Sequence, residues 1–288
     1  MGERKAPVQR EFGPLKSYLP EATPFLKWAG GKTQLLSQLD PFFPEDFITY
    51  FEPFLGGGAV SFHLRPERAI LSDTNPELIN VFQVVRDSPD RLTAALDRHY
   101  PHRNSKDYFY RVRKQNPVEL SAIERAARTI FLNKTCYNGL WRVNARGEFN
   151  VPFGKYKNPS LYNAQNIAAA SAALHGKIVT VGDYRDMCQY ARRDDFVYLD
   201  PPYQPLSPTA SFTGYTKESF SESDQKELAY VVKEVDGRGC KVMLSNSATD
   251  FVRSLYDGLR IERVRAKRAI NSHPSGRGAI DELLILNY

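Results

Sequence analysis

Six short apolar or β-branched runs, separated by helical stretches, constrain this chain more than any other feature. They are residues 49–52, 69–72, 177–181, 196–199, 241–244 and 283–287. Alternation of such runs with helical segments such as 224–235 implies an α/β sheet with helices on both faces. One block breaks the rhythm. Residues 86–133 carry no strand signal, and Ile123, Ala126, Ala127, Ile130 and Phe131 recur at the i, i+3, i+4, i+7, i+8 spacing of a buried helical stripe. Residues 135–162 then turn to Asn, Gly, Arg, Pro and aromatics, the composition of an irregular, hairpin-like surface segment. A helix over 164–174 leads back to the β pattern. The expected division is a sheet domain formed by 24–85 and 166–288, an inserted domain over 86–165, and an unassigned extension over 1–23.

Composition narrows the partners. A chain of 288 residues that is 42% hydrophobic can bury an ordinary core. It has no apolar run of about 18 residues, and the charged segment 1–18 lacks the apolar stretch of a signal peptide. A cytoplasmic protein without membrane contact is expected. Cys136, Cys188 and Cys240 stand far apart with no C-x-x-C pair, and the five histidines show neither metal-ligand nor triad spacing, so free thiols and no metal are expected. The net charge is +6, yet residues 101–160 hold twelve Lys+Arg against four Asp+Glu, a local +8 that leaves the rest of the chain at −2. The interrupting block therefore carries the basic character, which suits an acidic polymer. A second basic cluster comprises Arg260, Arg263, Arg265, Lys267, Arg268 and Arg277, with Glu262 its one acidic neighbour.

Asp200-Pro201-Pro202-Tyr203 follows an apolar strand directly, which places it at the carboxyl end of a sheet strand, where open α/β folds bind ligands. A carboxylate and the free carbonyl of Pro201 are two acceptors held by a rigid turn, and Tyr203 offers an aromatic face. That set suits an amino group conjugated with a purine ring. Its lone pair is delocalised, and acceptors that draw its two N–H bonds out of the ring plane make it nucleophilic. Glu52-Pro53-Phe54 and the glycines from Gly56 to Gly58 form a strand exit and a turn where a nucleoside can approach the backbone. Dinucleotide binding is the rival: G-x-G-x-x-G fits at Gly56 and Gly58 but meets Ser61 at the third glycine. Asp73, ending the next run, suits a ribose in either case. Gly31-Lys32-Thr33 ends like a P-loop, but Leu26 stands where that motif needs its first glycine.

In this order, five elements resemble the Dam-type adenine-specific DNA methyltransferases, and the resemblance runs from Pro24 almost to the C-terminus. They are F-L-K-W-A-G-G-K (25–32), F-E-P-F-L-G-G-G-A (51–59), S-D-T-N-P-E-L-I-N (72–80), N-G-L-W-R-V-N-A-R-G-E-F-N-V-P-F-G-K-Y (138–156) and D-P-P-Y (200–203). The resemblance implies a Rossmann-like methyltransferase sheet with an inserted, mainly helical DNA-recognition domain. It also implies transfer of the methyl of S-adenosylmethionine to N6 of a flipped-out adenine in duplex DNA, in the site GATC; a monomer is expected. Trp28, Lys32, Asp73 and Asp200 would contact the methyl donor, with Glu52, Pro53, Phe54, Gly56, Asn75 and Asp183 lining its pocket. Arg142 would read a guanine, Leu140 and Pro152 would touch a thymine, Tyr137 would enter the base stack beside Asn138, and Lys27 would reach the first guanine, with Lys155 a further DNA contact. The alternatives are another target within a restriction-modification pair, RNA or free nucleotides as substrate, and a catalytically silent DNA-binding relative.

Overall fold

The computed structural model describes residues 20–203, 220–267 and 279–288. Residues 1–19, Arg268, His273 and Arg277 lie outside the described residues, as does the side chain of Lys267. Seven strands form one sheet: β1 (Tyr50–Glu52), β2 (Ala69–Asp73), β3 (Ile178–Val181), β4 (Phe196–Leu199), β5 (Lys241–Ser247), β6 (Arg260–Lys267) and β7 (Ala279–Leu286). Their order is β3-β2-β1-β4-β5-β7-β6. The first five are parallel, while β7 runs antiparallel to both β5 and β6. The chain leaves β1 towards β2 on one side and returns to β4 on the other. That reversal opens a crevice at the carboxyl ends of β1 and β4.

Both faces of the sheet are covered. Phe196 and Tyr198 of β4 pack with the helices Pro76–Asp87 and Ala164–Leu174, whereas Val197 and Leu199 pack with Glu222–Gly237 and Tyr184–Cys188. All four β4 side chains are buried, which is why the run reads as continuously apolar rather than alternating. Helix starts follow local chemistry. Asn75 caps Pro76–Asp87 by accepting from the amides of Glu77 and Leu78 at 3.0 and 3.2 Å, and Pro76 occupies the first turn, where a missing N–H costs nothing. Ser121 with Glu124, and Ser221 with Asp224, close capping boxes at Ala122–Thr135 and Glu222–Gly237.

The interrupting block holds the helices Pro89–His99, Lys106–Lys114 and Ala122–Thr135. Ala122–Thr135 divides its apolar surface. Ala126, Ala127 and Ile130 join the core against the sheet, while Phe131 and Leu132 join a separate cluster with Phe109, Trp141, Phe149, Val151 and Leu161. The expected boundaries at 85/86 and 165/166 fall inside the helices Pro76–Asp87 and Ala164–Leu174, close to their ends. Within 1–23, Thr23 is tied to the core: its amide and hydroxyl reach Asn166 Oδ1 at 2.9 and 3.1 Å, and Ala22 is buried.

β6 was not among the expected strands, because Arg260, Arg263 and Arg265 have the pattern of a basic cluster. The strand exists because all eight residues pair with β7. As the outermost strand it needs only one apolar face, and its charges blunt an open edge. Among the described residues, no helix is long and apolar enough to cross a membrane.

Candidate active site

The crevice collects residues from four separate strand exits. Gly56, in the turn after β1, has φ +49° and donates its amide to Asp73 Oδ2 at 3.1 Å. The other oxygen of Asp73, at the end of β2, accepts from the amide of Asn75 at 2.9 Å. Burial raises the pKa of the Asp73 carboxyl, and those two amides hold it back. A Cβ on Gly56 would meet Trp28 Cδ1 at 3.1 Å, so this glycine lets the indole lie against the turn. Trp28 stacks on Trp141 at a centroid distance of 6.0 Å, and that contact ties the crevice to the block's aromatic cluster.

Glu52 closes β1 and is 3% exposed. Its pKa is pushed well above the carboxylate range, first by burial, with Asp200 and Asp73 adding repulsion. Glu52 Oε2 and Ser72 Oγ are buried and have no partner among the described residues. Buried polar atoms are rarely left so, and two of them beside a glycine turn fit a polar ligand that completes their bonds. Pro53 is buried, and Phe54 stacks on Tyr184 at 5.2 Å. Asp183, after β3, caps Tyr184–Cys188 through the amide of Arg185 at 2.9 Å and also accepts from its guanidinium at 3.0 Å. The amide of Gly182 bonds the carbonyl of Asp73 at 3.2 Å, which joins the exits of β2 and β3.

Asp200 follows β4 immediately. Lys32, only 4% exposed, places Nζ 2.7 Å from its Oδ1 and donates to the carbonyl of Gly30 at 3.0 Å. The same ammonium lies 4.9 Å from the centre of the Tyr203 ring. Burial pushes the Asp200 carboxyl up to about 6; Lys32 opposes the rise and Glu282 adds to it. Pro201 is buried, Pro202 exposed and Tyr203 partly buried. Glu282, not among the expected site residues, accepts the Tyr203 hydroxyl on Oε2 at 2.7 Å. Its only signal was an acidic residue entering an apolar run.

Several of the expected DNA contacts are linked through the segment after the helix Ala122–Thr135. Asn133, fully buried, accepts from the amide of Lys27 at 2.9 Å and donates to the carbonyls of Lys27 and Gly139 at 2.7 and 3.0 Å. Asn133, not among the expected site residues, binds the segment before Lys32 to the turn holding Tyr137 and Asn138. Tyr137 is 54% exposed, and its amide bonds the carbonyl of Pro152 at 2.8 Å. Asn138 and Lys155 both take positive φ, +55° each. Lys27 lies with Nζ 4.8 Å from the ring centre of Tyr156. Burial, then Lys27, lowers the pKa of the Lys134 ammonium to about 8. Leu140 is half-buried. Arg142, exposed, donates Nε to Asn150 Oδ1 at 2.7 Å on a hairpin closed by the bridge Val143 to Phe149.

A parallel sheet with an antiparallel β7, and a ligand crevice where the strand order reverses, defines a Rossmann-like α/β fold. The narrower class follows from comparison with known proteins: residues 28–270 match the model of the D12 class of N6 adenine-specific DNA methyltransferases, and the chain belongs to that family. It is 44% identical to the type II methyltransferase M.MjaIII of Methanocaldococcus jannaschii, over 93% of this chain and 100% of that protein. It is 41% identical to the type II methyltransferase M1.LlaDCHI of Lactococcus lactis subsp. cremoris, over 92% of this chain and 95% of that one. A DNA adenine methylase of Vibrio cholerae is 37% identical, over 91% of this chain and 95% of its own length. The chain is thus an N6-adenine DNA methyltransferase, and the family implies S-adenosylmethionine as methyl donor.

Proposed function

We propose that this enzyme methylates N6 of an adenine swung out of duplex DNA within GATC, with Asp200, Pro201, Pro202 and Tyr203 as the reacting turn. The observation that carries the reading is the ion pair Lys32–Asp200 at 2.7 Å, its side chains 4% and 17% exposed, beside the Tyr203 ring. A base paired in a duplex cannot reach a carboxylate at the floor of a crevice, so the adenine must leave the stack. Lys32 engages Oδ1 and favours the ionised form; Oδ2 and the Pro201 carbonyl are the acceptors for the two amino hydrogens. Tyr203 stacks on the base. S-adenosylmethionine supplies an electrophilic methyl already activated by its sulfonium leaving group. Positive charge arriving on the nitrogen then lies beside the Asp200 carboxylate, and one of the two amino protons leaves by way of it to solvent.

Glu52 and Ser72, with unpaired buried oxygens, and Gly56, Asp73, Asn75 and Trp28 would hold the donor, with Pro53, Phe54 and Asp183 at its margins. The block over 86–165 would be the DNA-recognition domain. There Tyr137 would fill the gap left by the adenine, Leu140 and Pro152 would meet a thymine methyl, and Arg142 would engage a guanine, flanked by Lys27, Asn138 and Lys155. The test is transfer of labelled methyl to a GATC duplex and to one differing at a single base of the site. Label in the GATC adenine alone is expected. Equal label in both discards GATC and leaves a methyltransferase of another sequence, as the type II names of two relatives allow.

A further inference from the structure

We propose that Glu282 is a positioning residue for this reaction: it anchors the Tyr203 hydroxyl and shares Lys32 with Asp200, fixing the stacking ring and the cation against the reacting turn. The inference rests on the assignment of Asp200 and Tyr203 to the chemistry. Glu282 belongs to β7, where it pairs with Ser247 of β5 and Val264 of β6. The next residues, Leu283 to Leu286, are all buried in the two faces of the core, so the strand that carries Glu282 is rigid. Its own side chain is 12% exposed. A carboxylate so enclosed needs partners. Tyr203 donates its hydroxyl to Oε2 at 2.7 Å, and Lys32 Nζ lies 3.9 Å from the same atom.

Two carboxylates therefore compete for one ammonium. Lys32 sits nearer to Asp200, at 2.7 Å, with Glu282 the more distant carboxylate at 3.9 Å. Tyr203 is steadied at both ends, by its chain link to the Pro201-Pro202 turn and by the hydroxyl bond to β7. A phenol free at its far end would rotate about two side-chain bonds and lose its fixed plane. The ionisable groups facing Asp200 are Lys32, Glu282 and Tyr203, with Tyr198, Tyr50 and Glu52 behind it in β4 and β1. Glu282 is one of the negative charges that raise the Asp200 pKa. Its removal moves the onset of the active carboxylate to lower pH.

The experiment measures kcat and kcat/KM against pH for Glu282→Gln, Glu282→Ala, Tyr203→Phe and the pair Glu282→Ala with Tyr203→Phe, using saturating S-adenosylmethionine and duplex DNA. Melting curves confirm that each variant is folded. Glutamine keeps an acceptor for the hydroxyl but no charge. Glu282→Gln is therefore expected to hold kcat within about threefold at high pH while its acid limb moves below that of the unaltered enzyme. Glu282→Ala is expected to lose about tenfold in kcat, with no further loss when Tyr203→Phe is added. An unmoved acid limb together with losses that multiply would overturn the proposal. Asp200→Asn, run alongside, separates the two levels: if it keeps turnover, the reacting turn itself is misassigned. If it is inactive while Glu282→Gln and Glu282→Ala match the unaltered enzyme, only the role of Glu282 falls.

Discussion

A buried carboxylate at the end of a strand is costly unless a cation stands beside it, and the pair Asp200–Lys32 shows both sides of that balance. Burial raises the Asp200 pKa to about 6 and Lys32 keeps it from rising further. The acid form is favoured below that value, and on the proposed mechanism only the carboxylate leaves Oδ2 free to accept one amino hydrogen while the Pro201 carbonyl accepts the other. kcat/KM is therefore expected to climb as pH rises through about 6 and to level above it, read as the acid limb of the rate profile. Asp200→Asn is expected to lower kcat by about a hundredfold or more while duplex binding in a gel-shift titration changes little. Asp200-Pro201-Pro202-Tyr203 was legible in sequence because its four residues act as one local turn. Glu282 was not, because 79 positions separate it from Tyr203 and only the insertion of β7 beside β5 closes that distance.

At the level of elements, Asn133 joins three segments from the end of the helix Ala122–Thr135. Asn133→Ala leaves the part-buried amide and carbonyl of Lys27 and the buried carbonyl of Gly139 short of a partner. The expected cost is about 2–4 kcal/mol, read as a lower melting midpoint, with poorer discrimination between the GATC duplex and its single-base variant. The hairpin carrying Arg142 makes a different prediction. Arg142→Ala is expected to cost about 1–3 kcal/mol at one guanine position and little elsewhere, measured by competition among duplexes altered one base at a time. Equal weakening on every duplex would make it a phosphate contact instead. Helices and buried strands were legible from caps and from runs such as Phe196–Leu199. β6 was hidden, since an edge strand bearing Arg260, Arg263 and Arg265 has the composition of a solvated face.

For the whole molecule, charge and topology divide the labour. The surplus of twelve basic over four acidic residues in 101–160 predicts that affinity for any duplex falls steeply with salt. Lys157→Gln, an exposed change in that stretch, is expected to weaken all sequences alike and to lower the slope of log K against log salt by about 1. The sequence by itself determined what depends on neighbours along the chain: the glycine turn after β1, the Asn75 cap, the rigid turn at Asp200, the basic block and the order of its motifs. Only the tertiary structure decided what depends on strand order. Reversal between β1 and β4 brings Glu52, Asp73 and Asp200 to one crevice, and the antiparallel β7 delivers Glu282 to Tyr203 and Lys32. Those contacts are set by hydrogen-bonded register between strands far apart in the chain, and no periodicity within a single segment records which strands will be neighbours.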